Sequence, residues 1–323
     1  MNRPVSTGDH LIQPAASLED ISSGTLQSNL SGLVDKDNMA DICTIFERQE
    51  KWEHVHRLKE LGDSSVSHQW IGCLNPIHGP FLPSHLFLIA LKIRLGVPFL
   101  DACVDCPKCV VKVQDVCGLH SLCCARGEST KGHYCVRDRA LELVHLADNS
   151  AVTEIQNLFH DAPNLRPADI FTVAALPGRM TALDIGICSP DACNAGLDCC
   201  DSMYSAKIDK YSQHLRLQNE FEYRPLVFSC YGRVHPEAVA IFRTLAQVAA
   251  RKHGVIDSQG LLARLHRNVG VEIWRRVACM VYDCLPETHD SEREFLHGRD
   301  PTVQLASEVD IAGVVCTDTS MYG

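Results

Sequence analysis

Two aspartates stand inside apolar, strand-like runs on either side of a tight turn signal. Asp169 lies in LRPADIFTV (165–173) and Asp184 in TALDIGIC (181–188), with Pro177-Gly178 between them. A carboxylate in such a run is costly unless something binds it. Period-two alternation puts Leu183, Ile185 and Ile187 on one face and leaves Asp184 on the other. With the turn centred on Pro177-Gly178, opposed residues have numbers summing to 355, so Asp169 faces Gly186. Asp184 is then a diagonal neighbour on the same face, roughly 7 Å away between Cα atoms. Two carboxylates so placed repel unless a divalent cation, Mg²⁺ or Mn²⁺, bridges them. Such an ion holds a scissile phosphate and lowers the pKa of an attacking water. A one-residue change in the turn would put the two acids on opposite faces. The plain alternative is that Asp169 caps a strand end and Asp184 pairs with a nearby Arg or Lys.

The surrounding pattern supplies a frame for this hairpin. Residues 1–40 read as a loose tail, and 41–100 as a helical connector with stripes Ile42, Ile45, Phe46, Val55, Leu58 and Leu86, Ile89, Ala90, Ile93, the second capped by Ser84. Residues 101–130 are Cys-rich. A helix from about His133 to Asp148 follows, then a strand within Ala151–Leu158, the two Asp strands, a Cys-rich loop (189–201) and a helix over 202–217. PLVFSCYG (225–232) reads as a buried strand and His235–His253 as a helix ended by Gly254. A last helix within 255–288 is broken near Gly270, and 289–323 is an acidic tail. The order over residues 131–254 predicts an α/β core with a mixed sheet flanked by helices.

On the 202–217 helix, Lys207, Lys210, Tyr211 and His214 fall on one face. A lysine there can stabilise a pentavalent phosphate, although a solvated helix face is as common. Glu142 and Asp138 can add a third acid from the first core helix, and His133 and Arg137 can touch phosphate.

Seventeen cysteines need an account. The N-terminus has no apolar signal-peptide core and no apolar run nears the roughly 20 residues that span a bilayer. That reads as an intracellular chain without a membrane partner, where metal binding is favoured over disulfides. Many cysteines can also be small buried apolar residues. Cys106-Pro-Lys-Cys109, then His120 and Cys124, has the spacing of a structural, four-ligand zinc site. Cys103, Cys117 and Cys123 could replace members of the set, and a metal-free buried loop is the alternative. The formal net charge of −10 counts against nucleic-acid binding by the chain as a whole, but leaves room for a local basic face.

The string RPADI…ALDIGICSP…AKIDKY, followed by PLVFSCYG and a helix ending in ARKHG, resembles the C-terminal region of reverse-transcriptase-like proteins of non-LTR retroelements. The preceding Cys-Pro-x-Cys, GLH and GHYCVRDRAL, and the connector strings LKELGDSSVSHQW and FLIALKIRLGVPF, extend the likeness over about residues 58–285. The resemblance implies a zinc knuckle on Cys106, Cys109, His120 and Cys124, and a restriction-endonuclease-like domain of the PD-(D/E)XK type that nicks target DNA with Mg²⁺ or Mn²⁺. Its acids fall on Asp169, after an inserted-looking Ala168, and on Asp184. Its lysine falls on Lys207, with Lys210 next, because Gly186 stands where the family usually has a lysine two residues after the second acid. Gly132 stands where an arginine is usual. The implied location is nuclear, and the implied partners are DNA, retroelement RNA and an upstream polymerase domain. No Tyr-x-Asp-Asp signature occurs, so the resemblance implies a fragment, a decayed copy or a host gene derived from one. A zinc-binding module that contacts nucleic acid or protein without catalysis is the alternative function.

Overall fold

In the computed structural model, residues 25–62, 65–73, 79–109, 112–124, 128–217 and 220–285 are described. The expected acidic tail (289–323) and residues 1–24 of the expected N-terminal tail lie outside them. The chain divides into two compact units, residues 1–58 and 59–323.

The first unit holds α1 (Thr25–Arg48) and most of α2 (Trp52–Leu61). Helix over residues 25–40 corrects the expectation of a loose tail. This stretch is polar, but it contains no proline and one glycine, so nothing in it breaks a helix. Ile42 and Ile45 are exposed, whereas Cys43 and Val55 are buried.

In the second unit, α3 (Ser65–His68) and a 3₁₀ turn (Gln69–Gly72) precede α4 (Ser84–Leu95). The stripe Leu86, Ile89, Ala90 and Ile93 is buried as alternation at helical period requires. Pro83 rather than Ser84 occupies the cap position, without a side-chain bond. Two short strands, β1 (Val104–Asp105) and β2 (Val113–Gln114), pair antiparallel before α5 (Ser121–Cys124).

The core is a four-stranded mixed sheet in the order β3 (Val152–Thr153), β4 (Ile170–Leu176), β5 (Arg179–Cys188), β6 (Glu222–Ser229). The first three strands are antiparallel, and β6 runs parallel to β5. A parallel neighbour needs a crossover, which α7 (Cys199–Leu217) provides. α6 (Glu128–Ala147) and α8 (Pro236–His253) pack on the sheet, and α9 (Ser258–Tyr282) packs against both helices. Ile170, Leu183, Ile185, Leu226 and Phe228 bury into that helical side with Val136, Ala140, Phe242 and Trp274. Ala182 and Tyr223 face the opposite way, into a smaller core with Phe159, Tyr211 and Phe221 under α7. The even-numbered face of β5 is therefore the α7 face, and Asp184 belongs to it.

α9 is continuous through Gly270, where a break was expected. A Cβ at Gly270 would stand 2.4 Å from the Val66 carbonyl oxygen. The glycine lets the backbone of α3 approach the helix, next to the Trp70 and Trp274 rings, which pack at a tilt with centroids 4.9 Å apart.

Among the described residues no helix is long and apolar enough to cross a membrane.

Candidate functional site

The hairpin register differs from the expectation by two residues. At the turn, Leu176 pairs with Arg179, and the sum of 355 holds. Farther from it, Thr172 pairs with Thr181 and Ile170 with Leu183, a sum of 353. β4 therefore carries two extra residues between Thr172 and Leu176. An even shift keeps every side chain on its face. Continued one residue past Ile170, the ladder puts Asp169 directly opposite Asp184 rather than opposite Gly186. Its amide donates to the Leu183 carbonyl at 2.9 Å.

Asp148, at the end of α6, holds this bulge. One of its carboxylate oxygens accepts from Thr172 Oγ1 (2.7 Å) and from the Val173 amide (3.0 Å), and the other accepts from the Ser150 amide and hydroxyl. A bulge frees ladder groups that need partners elsewhere, and the α6 terminus supplies them.

Each acid has two donors. Asp169 Oδ1 lies 3.0 Å from His133 Nε2, and its Oδ2 accepts from the Ile185 amide at 2.6 Å. Asp184 Oδ1 accepts from Lys207 Nζ at 2.7 Å, and its Oδ2 from the Tyr223 hydroxyl. The two environments push the acids apart. Burial works against ionisation of Asp169, but His133, the Ile185 amide and Lys207 outweigh it and hold its carboxyl below the usual range. For Asp184 burial dominates; the Asp169 charge adds to it, and Lys207 and Tyr223 compensate only in part, so its carboxyl is raised. Burial and the neighbouring Asp184 charge push the Tyr223 phenol up. Two acids with opposed shifts are suited to different proton-transfer roles.

Lys207 reaches Asp184 across Gly186. A Cβ on Gly186 would lie 2.7 Å from Lys207 Cε and 2.8 Å from Met203 Sδ. Glycine at this position leaves the room through which the α7 lysine passes. A cleft of about 460 Å³ is lined in part by His133, Gly186, Met203, Lys207 and Arg276, the first and fourth being partners of the aspartates, but by neither aspartate itself. A cleft of about 520 Å³ lies by the 3₁₀ turn and α9, with Arg264 and Arg267 in its lining.

The other expected site residues lie elsewhere. Glu142 binds Arg139 at 2.5 Å, and that arginine binds Glu272 of α9, so Glu142 is held on the side of α6 away from the two aspartates. Asp138 pairs with Arg137 at 2.7 Å, and Arg137 with Glu154. Glu154 donates its amide to the Asp169 carbonyl, which keeps Arg137 near the rim. Lys210 is exposed over the Tyr211 ring, and His214 binds Asp161. Tyr223 is the residue that sequence reasoning missed. The expected strand began at Pro225, whereas β6 begins at Glu222; proline is tolerated there because β6 is the edge strand.

A second constellation lies in the Cys-rich segment. Cys106, Cys109, His120 and Cys124 each offer a ligand atom within 4.8 Å of the others, so the four could hold a metal ion. Cys106 Sγ is 3.8 Å from Cys124 Sγ, and Cys109 Sγ is 3.3 Å from His120 Nε2. Asp115 positions the second pair: its carboxylate accepts from the amides of Cys117, Leu119 and His120, a local side-chain turn that starts α5. Of the alternatives, Cys103 is exposed and Cys123 turns toward Ser189.

No family model, curated protein or solved structure matches the chain.

Proposed function

We propose that the chain is a metal-dependent DNA endonuclease with a restriction-endonuclease-like core, in which Asp169, Asp184 and Lys207 form the hydrolytic site. The observation that carries the reading is the direct opposition of the two acids, with Lys207 reaching Asp184 through the gap at Gly186. The resemblance to the retroelement endonuclease region requires a lysine displaced from position 186 onto the following helix, and Lys207 meets that requirement.

A carboxylate has about four acceptor sites, and each acid uses two on protein donors. Both therefore keep capacity for a hard, oxygen-loving cation. Mg²⁺ or Mn²⁺ bound there would lower the pKa of an attacking water and draw charge from the phosphate. In this reading Lys207 stabilises the charge that develops on the phosphate oxygens. His133 orients Asp169, Tyr223 fixes the Asp184 carboxylate, and the exposed Lys210 steers the DNA backbone. Nuclear DNA is the substrate on this reading, with retroelement RNA or a polymerase domain as further partners.

The Cys106–Cys109–His120–Cys124 set supports zinc in a structural role. Thiolates about 2.3 Å from a tetrahedral zinc ion stand about 3.8 Å apart, the separation of Cys106 and Cys124 sulfurs. Four protein donors leave no open position for catalysis.

One observation favours a second reading. Both acids are already paired with basic or hydroxyl donors, an arrangement that would also suit a zinc-binding interaction module without activity. An end-labelled DNA duplex separates the two. Cleavage in Mg²⁺ that stops on chelation and in Asp169→Asn supports the endonuclease. Binding by fluorescence anisotropy without cleavage supports the module.

A further inference from the structure

We propose a second zinc site, formed by the thiolates of Cys188, Cys199 and Cys200, that clamps the start of α7 to the end of β5. The three sulfurs lie within 4.8 Å of one another. Cys188 Sγ and Cys200 Sγ are 3.8 Å apart, the spacing that thiolates about 2.3 Å from a tetrahedral zinc ion adopt. Three converging thiolates select a soft ion such as zinc over Mg²⁺ or Ca²⁺.

The packing around them gives a reason for a metal. The side chains buried there are Cys188, Ala195, Cys199, Cys200 and Val227, a small core separate from the two larger ones. The loop from Ser189 to Asp198 has turns but no helix or strand, and Leu197, its one large apolar residue, points into solvent. Small side chains bury too little apolar surface to fix such a loop. Small modules short of core commonly use a bound metal as a staple. The Glu60 carboxylate is a further side-chain donor close by, its Oε1 3.6 Å from Cys199 Sγ, and it is gripped by Arg233, which also binds Asp198 at the loop's end. A divalent ion offsets the charge of three buried thiolates better than a monovalent one would.

The position matters for the rest of the molecule. Cys188 lies on the same face of β5 as Asp184 and Gly186, and Cys199 and Cys200 open the helix that carries Lys207. An ion here fixes the α7 N-terminus to the strand that the lysine must reach. The site stands whether or not the acids hydrolyse anything, and its readout is metal content.

The test uses the full chain, purified with a thiol reductant and without an immobilised-metal step, and counts zinc per polypeptide by mass spectrometry. Two ions are expected in the wild type, one in Cys200→Ser, one in Cys109→Ser and none in the double variant. Cobalt titration of the metal-stripped wild type gives a second count that needs no variant; its thiolate-to-metal absorption should saturate at two equivalents. A single ion in the wild type that is retained in Cys200→Ser and lost in Cys109→Ser would overturn the site. So would two ions retained in Cys200→Ser, or a disulfide among the three cysteines in thiol-blocked protein.

Discussion

Lys207 passes over the bare Cα of Gly186 to set its Nζ 2.7 Å from Asp184 Oδ1. The relationship explains why a glycine stands in the middle of a buried strand, where it costs backbone entropy and packs nothing. A methyl there meets the flexible ends of Lys207 and Met203 at 2.7 and 2.8 Å, so those side chains move before the backbone does. Gly186→Ala is expected to lower stability by about 1 kcal/mol or less, the low end of overpacking because flexible side-chain ends give way, and to separate Lys207 from Asp184. Denaturant unfolding and a cleavage assay on the same variant check both effects; DNA cleavage should fall at least about tenfold, the equivalent of about 1.4 kcal/mol in the barrier.

Asp148 ties the end of α6 to the bulge that sets the register of the two acids. Burial alone would raise its carboxyl, but the bonds from Ser150, Thr172 and the Val173 amide outweigh it and hold it at about 2. A depressed carboxyl contributes stability above its unfolded value of about 3.9, and that contribution is lost as pH falls through about 2. Asp148→Asn should therefore cost about 1–3 kcal/mol at neutral pH, the range for stranding buried donors. The gap to wild type should close between about pH 4 and pH 2. Urea unfolding at a series of pH values checks this; a gap independent of pH would contradict it.

Gly270 reverses the usual rule for helices. Alanine for glycine inside a helix normally stabilises by about 1 kcal/mol. Here the new methyl would meet backbone, the Val66 carbonyl oxygen at 2.4 Å. Gly270→Ala is expected to destabilise by about 2 kcal/mol or more, seen as a lower denaturant midpoint. An unchanged or higher midpoint would show that α3 does not approach α9 this closely.

Metal removal should loosen the segment from Cys106 to Cys124. Among its described residues the regular structure is one two-residue strand, paired with the strand just before it, and one turn of helix, too little to hold itself without cross-links. Chelation under reducing conditions is expected to raise amide exchange over residues 104–124. Cys109→Ser should do the same without chelator. Unchanged exchange in both would mean that the cysteines serve as ordinary core.

Much of this arrangement was legible in the residues, and the misreadings have physical causes. Alternation in TALDIGIC separated Leu183 and Ile185 from Asp184 correctly because successive strand residues point to opposite faces, even though both faces of β5 are buried. The register was misread by two residues, because the bulge depends on Asp148, more than twenty positions upstream and visible only after folding. The face survived the error because the shift was even. Lys207 was legible through the resemblance, but the reason it reaches, the open space over Gly186, was not. Tyr223 was hidden by Pro225, read as the start of a strand that in fact begins three residues earlier. Glu142 was chosen for its helix alone, and a long-range ion pair between Arg139 and Glu272 decides where it sits. The Cys106 set was read from spacing, since two close pairs of donors need only a tight turn to converge.

On the proposed reading, Asp169, Asp184 and Lys207 act together on a phosphodiester. The most direct measurement is the nicking rate of supercoiled plasmid in Mg²⁺ or Mn²⁺ by wild type, Asp184→Asn and Lys207→Met, each first confirmed as folded. Metal-dependent nicking by wild type is expected, with a loss of at least about a hundredfold in both variants, of order 2.7 kcal/mol in the barrier. Equal rates in all three, insensitive to EDTA, would contradict it.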